Sequence, residues 1–329
     1  MPTRNLESPN PRTPVRGASR GLAGWVGIGL LFVLAALLSV AVGPGGFAGT
    51  RAVMDLRLLR LALGIVAGGV LAVVGASLQG LLQNPLADPF TMGVASGAAL
   101  GASLTVVLGR TAGVFAPLGG FAGALVTMLV VYTLARVRGR VTATGLVLAG
   151  VIMSFLFSSL VMLVVIFGHR TIGEAVYMMM GHLGTVFTGT TMWLFAAVAV
   201  LAVAGCGWLF SLSRPLDIMS SGEEAAETLG VDTQRVTKTV FVVSSLLVGM
   251  VVSFTGAISF VGLIVPHLVR MMFGPAHRRV LPGSFLAGGA ILLLSDVLAR
   301  NVVPGGLPLS VVTALVGVPF FVYLLRRRL

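Results

Sequence analysis

The chain is 329 residues long, 57 % of them hydrophobic and only 10 % charged, with a mean hydropathy of +1.03. A water-soluble fold cannot hide that much apolar surface, so two soluble domains are excluded and the surrounding solvent is lipid. The net charge of +12 comes from arginines scattered at the ends of apolar runs, which argues against nucleic acid, and a sole cysteine, Cys206, excludes a disulfide framework or a cysteine-cluster metal site.

Residues 1–20, rich in Pro, Arg and Ser, read as a disordered cytoplasmic tail, and 21–329 as a single polytopic membrane domain. The apolar run after Arg4, Arg12, Arg16 and Arg20 is too long for a signal-peptide h-region and lacks a clear small-residue cleavage site, so it reads as an uncleaved anchor. Runs of membrane length lie at 22–43, 57–81, 91–109, 113–135, 142–168, 190–212, 237–257, 280–299 and 307–325. A shorter one at 260–273, bounded by Gly256, Gly262 and Gly274-Pro275, brings the count to ten and is expected to cross obliquely or be broken. Ten spans put both termini on one side. If that side is cytoplasmic, only Arg51, Arg57, Arg60, Arg110, Arg170 and Arg300 lie outside, against sixteen Lys and Arg inside, Arg138 among them. The expected fold is an all-α integral membrane protein of about ten transmembrane helices with cytoplasmic termini. Gly64-xxx-Gly68 and Gly93-xxx-Gly97-xxx-Gly101 suit close helix approach, and packing is the only value given to them.

Asn84-Pro85 and Asp88-Pro89 are expected to make a tight cytoplasmic loop, because each proline disfavours helix in the residue before it. Residues 214–238 form a charged island. Asp217, Glu223, Glu224, Glu227 and Asp232 are five of the chain's ten acidic residues, and Lys238 is its only lysine. Ser221-Gly222-Glu223-Glu224 fits a capping box, the Ser221 hydroxyl accepting from the Glu224 amide and the Glu224 carboxylate from the Ser221 amide. Ala225, Ala226 and Leu229 extend a helix of about eight residues that Gly230 ends, with Glu223 and Glu224 at the positive end of its dipole. A helix so short cannot stand alone in water and must rest on its own membrane domain or on a partner. An ordinary solvated loop is the plain alternative. Acidic residues count little in the charge rule, so the island faces the cytoplasm, where it would dock a soluble partner.

There is no Gly-xxxx-Gly-Lys-Ser/Thr phosphate loop, since Lys238 follows Val236-Thr237, and no His-Glu-xx-His or Gly-x-Ser-x-Gly. The chain is therefore not read as an enzyme, and active transport would draw on an ion gradient or on a separate ATPase. Gradient-coupled carriers place ionisable groups near the membrane midplane. Here Asp296 is the only acid well inside a run, and a pair with Arg300 one turn later is its simplest explanation. A separate ATPase is the better reading. Pro266 and His267 in the short run read as buried, with the histidine satisfied rather than ligating.

Four stretches resemble the membrane permeases of ATP-binding-cassette importers for iron–siderophore complexes, haem and cobalamin, the FecCD type. The first runs from Gly75 to Gln79 and on through Asn84-Pro85 and Asp88-Pro89 to Gly93 and Gly97; the second is the island, with Glu224-Ala225-Ala226 and Leu229-Gly230. The third is Gly256 to Arg270 followed by His277-Arg278, and the fourth runs from Pro304 through Gly317 and Pro319 to Phe321. The resemblance implies a homodimer in a prokaryotic cytoplasmic (inner) membrane and a pair of ATP-binding subunits that bring ATP and Mg. It also implies an extracytoplasmic solute-binding protein, with no cofactor and no metal bound by this chain. ATPase coupling would fall to Ser221, Gly222, Glu223, Glu224, Ala225, Ala226, Leu229 and Gly230. Binding-protein docking would fall to Arg57, Arg60 and Arg300, and a structural loop to Asn84, Pro85, Asp88 and Pro89. Arginine forks suit carboxylates, although arginines snorkelling to the interface would look the same in sequence, and Asp296 partly neutralises Arg300. The fifth and tenth spans would line a passage at the dimer seam, with Ser154, Ser158 and Thr313 among apolar residues.

Two departures fall near the outer mouth. Gly306-Leu307-Pro308-Leu309-Ser310 stands where the family commonly has Glu-Leu-Pro-Val-Gly, and Met180-Gly181-His182 stands where it has Trp-Gly-Ser. His182 raises the idea of a haem ligand, for which a lone histidine is thin support. The expected function is import of a metal chelate or corrinoid by alternating access. A gradient-driven carrier and a non-transporting scaffold are the alternatives: uncoupler-sensitive uptake without an ATPase marks the first, and partner binding without transport the second.

Overall fold

A computed structural model describes residues 16–43, 51–109, 113–137, 139–168, 180–185, 187–303 and 305–328. Arg4, Arg12, Arg110, Arg138, Arg170 and Pro304, used in the sequence reading, lie outside the described residues, as does 1–15 of the tail. The helices are α1 (Arg16–Ala41), α2 (Arg51–Leu81), α3 (Val94–Val107), α4 (Phe115–Ala135), α5 (Ala143–Phe167) and α6 (Gly189–Ser211). They continue with α7 (Ser213–Met219), α8 (Glu223–Thr228), α9 (Thr233–Thr255), α10 (Val261–Phe273), α11 (His277–Val302) and α12 (Leu309–Arg328). Seven are long and apolar enough to cross a membrane, and α3, α10 and α12 are shorter apolar helices, which together match the ten expected runs. Between α4 and α5 lies a small antiparallel hairpin pairing Arg136 with Val141 and Val137 with Arg140.

The layering follows from which helices carry small residues. α2 is the central element, packed most extensively against α11 and also against α9 and α10. Gly68 of α2 and Gly288 of α11 meet backbone to backbone, and a Cβ on either would overlap the other's carbonyl. Gly97 and Gly101 of α3 meet Gly123 and Gly119 of α4 in the same way. Lipid gives helices no hydrophobic reason to associate, so such close backbone contact is what holds them. α1, α4, α5 and α6 form the outer layer and leave apolar side chains such as Leu30, Leu129, Phe155 and Trp193 exposed.

The short run is one continuous helix, and the break in the chain lies just before it. α9 ends at Thr255, the chain is non-helical over 256–260 with positive φ at Gly256 and Phe260, and α10 then runs for 13 residues. At 1.5 Å per residue that is about 20 Å, short of a hydrocarbon core of about 30 Å. His267 is half-buried rather than buried and sets its ring edge-on to Phe320 of α12. Thr313 differs from Ser154 and Ser158, which are half-buried. It is buried, its hydroxyl donates to the Leu309 carbonyl at 3.1 Å, and it lines an apolar hollow between α10 and α12.

Candidate functional site

At the cytoplasmic end, α7 and α8 carry the charged island. α8 is six residues, not eight, and the capping box does not form: the N-cap is Gly222 at φ 116°, with no side-chain cap, and Ser221 lies outside the helix. Two of the glutamates bond to the start of α9 instead. Thr233 at the start of α9 donates to Glu227 at 3.0 Å and to Glu223 at 3.3 Å, and Gln234 reaches Glu223 at 3.4 Å. The C-terminus is as expected. Gly230 has φ 83°; its amide bonds the Glu227 carbonyl and that of Val231 bonds Ala226, a Schellman pair that satisfies the last carbonyls. Ala226 is fully buried and seats α8 on the domain, while Glu224, Ala225 and Leu229 (68 % exposed) face outward. Glu223 and Glu227 are exposed as well, so the outward surface combines three carboxylates, two of them bonded to the start of α9, with an apolar knob.

Beneath α8 the chain is tied by polar contacts that sequence reading missed. The Gln83 amide donates to the Met219 carbonyl at 2.9 Å, joining α7 to the end of α2. The Gln79 amide lies 3.2 Å from the carbonyls of Ala87, Gly262 and Leu263, and its oxygen accepts from Arg270. The available signal was a pair of glutamines closing an otherwise apolar run. The loop of Asn84, Pro85, Asp88 and Pro89 divides in two. Asn84 accepts from Leu86 N at 2.9 Å in an exposed turn beside Pro85. Asp88 is extended, buried, and caps the 3₁₀ turn Pro89–Met92 by accepting from Phe90 N at 2.9 Å. Burial pushes the Asp88 carboxyl up to about 6, against the opposing pull of the Phe90 and Phe260 backbone bonds. Gln79, Gln83, Pro85, Ser220, His267 and Arg270 border a cleft of about 700 Å³ here.

At the outer end, the three predicted arginines converge, and the expected Asp296–Arg300 pair is joined by a tighter one to Arg60. Arg60 of α2 grips Asp296 bidentately, at 2.7 and 3.1 Å to Oδ1 and 2.9 Å to Oδ2, whereas Arg300 Nε lies 3.5 Å from Oδ2. The i,i+4 pair is thus secondary, because an antiparallel neighbour offers Asp296 a fork where its own helix offers one edge. Arg57 donates to the Val40 carbonyl at 2.9 Å and Arg300 to that of Ser39 at 2.6 Å. Both close the orphan carbonyls at the end of α1, where its dipole favours cations. Arg57 is 6 % exposed and Asp296 1 %, while the Arg60 side chain keeps 28 % of its surface. Arg60 is therefore the arginine most open to a partner.

Arg60, Asp296 and Arg300, with His182, Gly306 and Leu307, line a hollow of about 450 Å³ that adjoins a second of about 310 Å³ reaching Arg57 and Thr185. Burial, and then the neighbouring Arg60 charge, hold the His182 imidazole below its usual range. The two departures belong to this mouth. Gly305 and Gly306 are both left-handed, at φ 91° and 78°, so a side chain there would be strained. Ser310 is buried, donates to the Ala257 carbonyl at 2.9 Å and accepts from Ser259 N at 3.1 Å. Among the described residues no cluster of three or more His, Cys, Asp or Glu side chains is placed to hold a metal ion.

A model of the FecCD transport family matches residues 22–327. The cobalamin import system permease protein BtuC of Halobacterium salinarum is 41 % identical over 273 residues, covering 83 % of this chain and 73 % of that protein. The vitamin B12 import system permease protein BtuC of Salmonella paratyphi A is 35 % identical over 318 residues, 93 % of this chain and 95 % of the relative. A solved structure of an inward-facing metal-chelate type ABC transporter superposes with a TM-score of 0.78 at 31 % identity, covering 93 % of this chain and 99 % of that one.

Proposed function

Because the chain belongs to the FecCD transport family, as a multi-pass membrane permease of an ABC importer whose ATP hydrolysis resides in a separate subunit, we propose that its cargo is a corrinoid of the cobalamin class. The observation that carries this is the identity to two permeases named for cobalamin or vitamin B12, one of them matched over nearly its whole length. A metal chelate of another kind, an iron–siderophore or haem, is the second reading, favoured by the superposition on a transporter of the metal-chelate type.

The proposed machine is a homodimer of this chain on a pair of cytoplasmic ATPase subunits, fed by an extracytoplasmic solute-binding protein and working by alternating access. Coupling runs through α8, whose exposed Glu224, Ala225 and Leu229 would enter a groove of the ATPase. Arg60 would meet a carboxylate of the binding protein, while Arg57 and Arg300 hold the end of α1 in place beside it. The hollows at the mouth offer little to grip a cargo tightly, which suits a large solute recognised by another protein.

The test is reconstitution in vesicles with the ATPase and a binding protein loaded in turn with cobalamin, haem and a ferric siderophore. ATP-dependent accumulation of cobalamin is expected. Accumulation of haem or siderophore but not cobalamin would overturn the cargo, and uptake that needs no ATPase and collapses with an uncoupler would overturn the ATP-driven reading. In the same vesicles Arg60→Glu should weaken binding-protein stimulation, most at low salt. Unchanged stimulation at low salt removes Arg60 from that contact.

A further inference from the structure

Resting on the importer reading, we propose that Asp217 and His277 are a positioning pair that delivers movement of the coupling segment to α11, and through α11 to the Arg60–Asp296 contact at the outer mouth. α11 begins without a cap of its own, since Ala276 at the N-cap supplies no side-chain bond. Asp217 of α7, sixty residues away in sequence, supplies it: one carboxylate oxygen accepts from the His277 backbone amide at 2.9 Å and lies 2.6 Å from the His277 Nδ1. A single oxygen thus holds both the backbone and the side chain of the first residue of α11.

The imidazole cannot swing away to follow a looser α7. It is 3 % exposed and wedged against α2 at Gly80, where even a Cβ would overlap the ring. The same end of α7, two residues on, is fixed to the chain leaving α2 by the Gln83–Met219 bond. α8 itself touches the domain mainly through Ala226 and its neighbours α7 and α9, so force applied to its exposed face reaches the core through those two helices. Both routes end on a helix long enough to cross a membrane, α9 itself or α11, but of the two only α11 carries Asp296. α11 is 26 residues, about 39 Å at 1.5 Å per residue, and near its far end stands Asp296 in its bidentate grip on Arg60. One helix therefore meets both docking ends, with an ionisable contact at each.

The discriminating experiment compares Asp217→Ala, which removes the acceptor, with Asp217→Asn, which keeps it without the charge. Each is assembled with the ATPase and loaded binding protein in vesicles, and solute uptake and ATP hydrolysis are both read. Asp217→Ala is expected to assemble and hydrolyse ATP while uptake per ATP falls at least tenfold, with Asp217→Asn retaining most of the coupling. His277→Ala should mimic Asp217→Ala, and the double variant should be no worse than either. Uptake and hydrolysis falling by the same factor in Asp217→Ala would mark a merely structural contact, and wild-type uptake per ATP would mark no role; either overturns the proposal while leaving the importer reading intact. A wild-type complex without ATP-driven uptake overturns that reading and this pair with it.

Discussion

Asp88 shows how one side chain serves folding at a cost that depends on pH. Its carboxylate closes the 3₁₀ turn before α3, yet it does so in a site that excludes water, so its folded pKa rises from 3.8 to about 6. The sign follows from linkage. A folded pKa above the unfolded one means the native state binds the proton more tightly, so the associated stability is complete below about pH 4 and is lost as pH climbs through 6. A rise of roughly two units corresponds to about 3 kcal/mol. Purified permease should therefore lose stability between pH 4 and 6.5, and Asp88→Asn, which can still accept the Phe90 amide, should flatten that slope. Thermal unfolding across this range in detergent measures it; an identical slope in Asp88→Asn would assign the pH dependence elsewhere. Asp296 makes the converse point at the outer mouth, where its partner Arg60 lies on another helix and so was invisible to a rule about neighbours one turn apart.

Among the elements, α8 separates local from tertiary causes. Its C-terminus was legible because Gly230 at φ 83° is a backbone requirement written in one residue. Its N-terminus was not: Ser221-x-x-Glu224 satisfies a local pattern, but the chain enters α8 through Gly222 at φ 116° with no side-chain cap, and Thr233 and Gln234, brought alongside by the turn into α9, bond Glu223 and Glu227 while leaving them exposed. The consequence is a division of labour among acids that look alike in sequence. Glu224→Lys or Leu229→Asp should lower ATPase co-purification at least tenfold while moving permease stability by no more than the ~0.5 kcal/mol of ordinary surface changes. Glu227→Ala should instead destabilise the permease by about 1 kcal/mol through the lost hydroxyl bond. Paired pull-down and unfolding measurements decide it, and an outward-face variant that binds the ATPase normally would sink the assignment. α10 carries the same lesson: Gly256 at φ 67° marks the break before it in one residue, whereas the close approach of Pro89 and the Leu71 carbonyl to Gly262 inside it shows only in three dimensions.

For the molecule as a whole, hydropathy disclosed the ten apolar helices found among the described residues because membrane length is a one-dimensional signal, whereas it could not disclose which helices touch. The chain holds 44 glycines, and only three-dimensional contact distinguishes those that matter. Gly68 and Gly288 join the two most extensively packed helices, α2 and α11, with each backbone against the other, whereas Gly207 on α6 has open space where its side chain would be. A backbone clash cannot be relieved by a rotamer change, so Gly68→Ala or Gly288→Ala must push α2 and α11 apart. Overpacking of this kind costs typically about 1–3 kcal/mol. Because α2 carries Arg60 and leads directly into Gln83 while α11 carries Asp296 and His277, the same displacement should also pull apart the polar contacts at both ends. Gly207→Ala should leave stability and uptake unchanged. Unfolding midpoints and ATP-driven uptake for the three variants provide the check: a Gly68→Ala protein as stable and as active as Gly207→Ala would mean that α2 and α11 need not touch so closely.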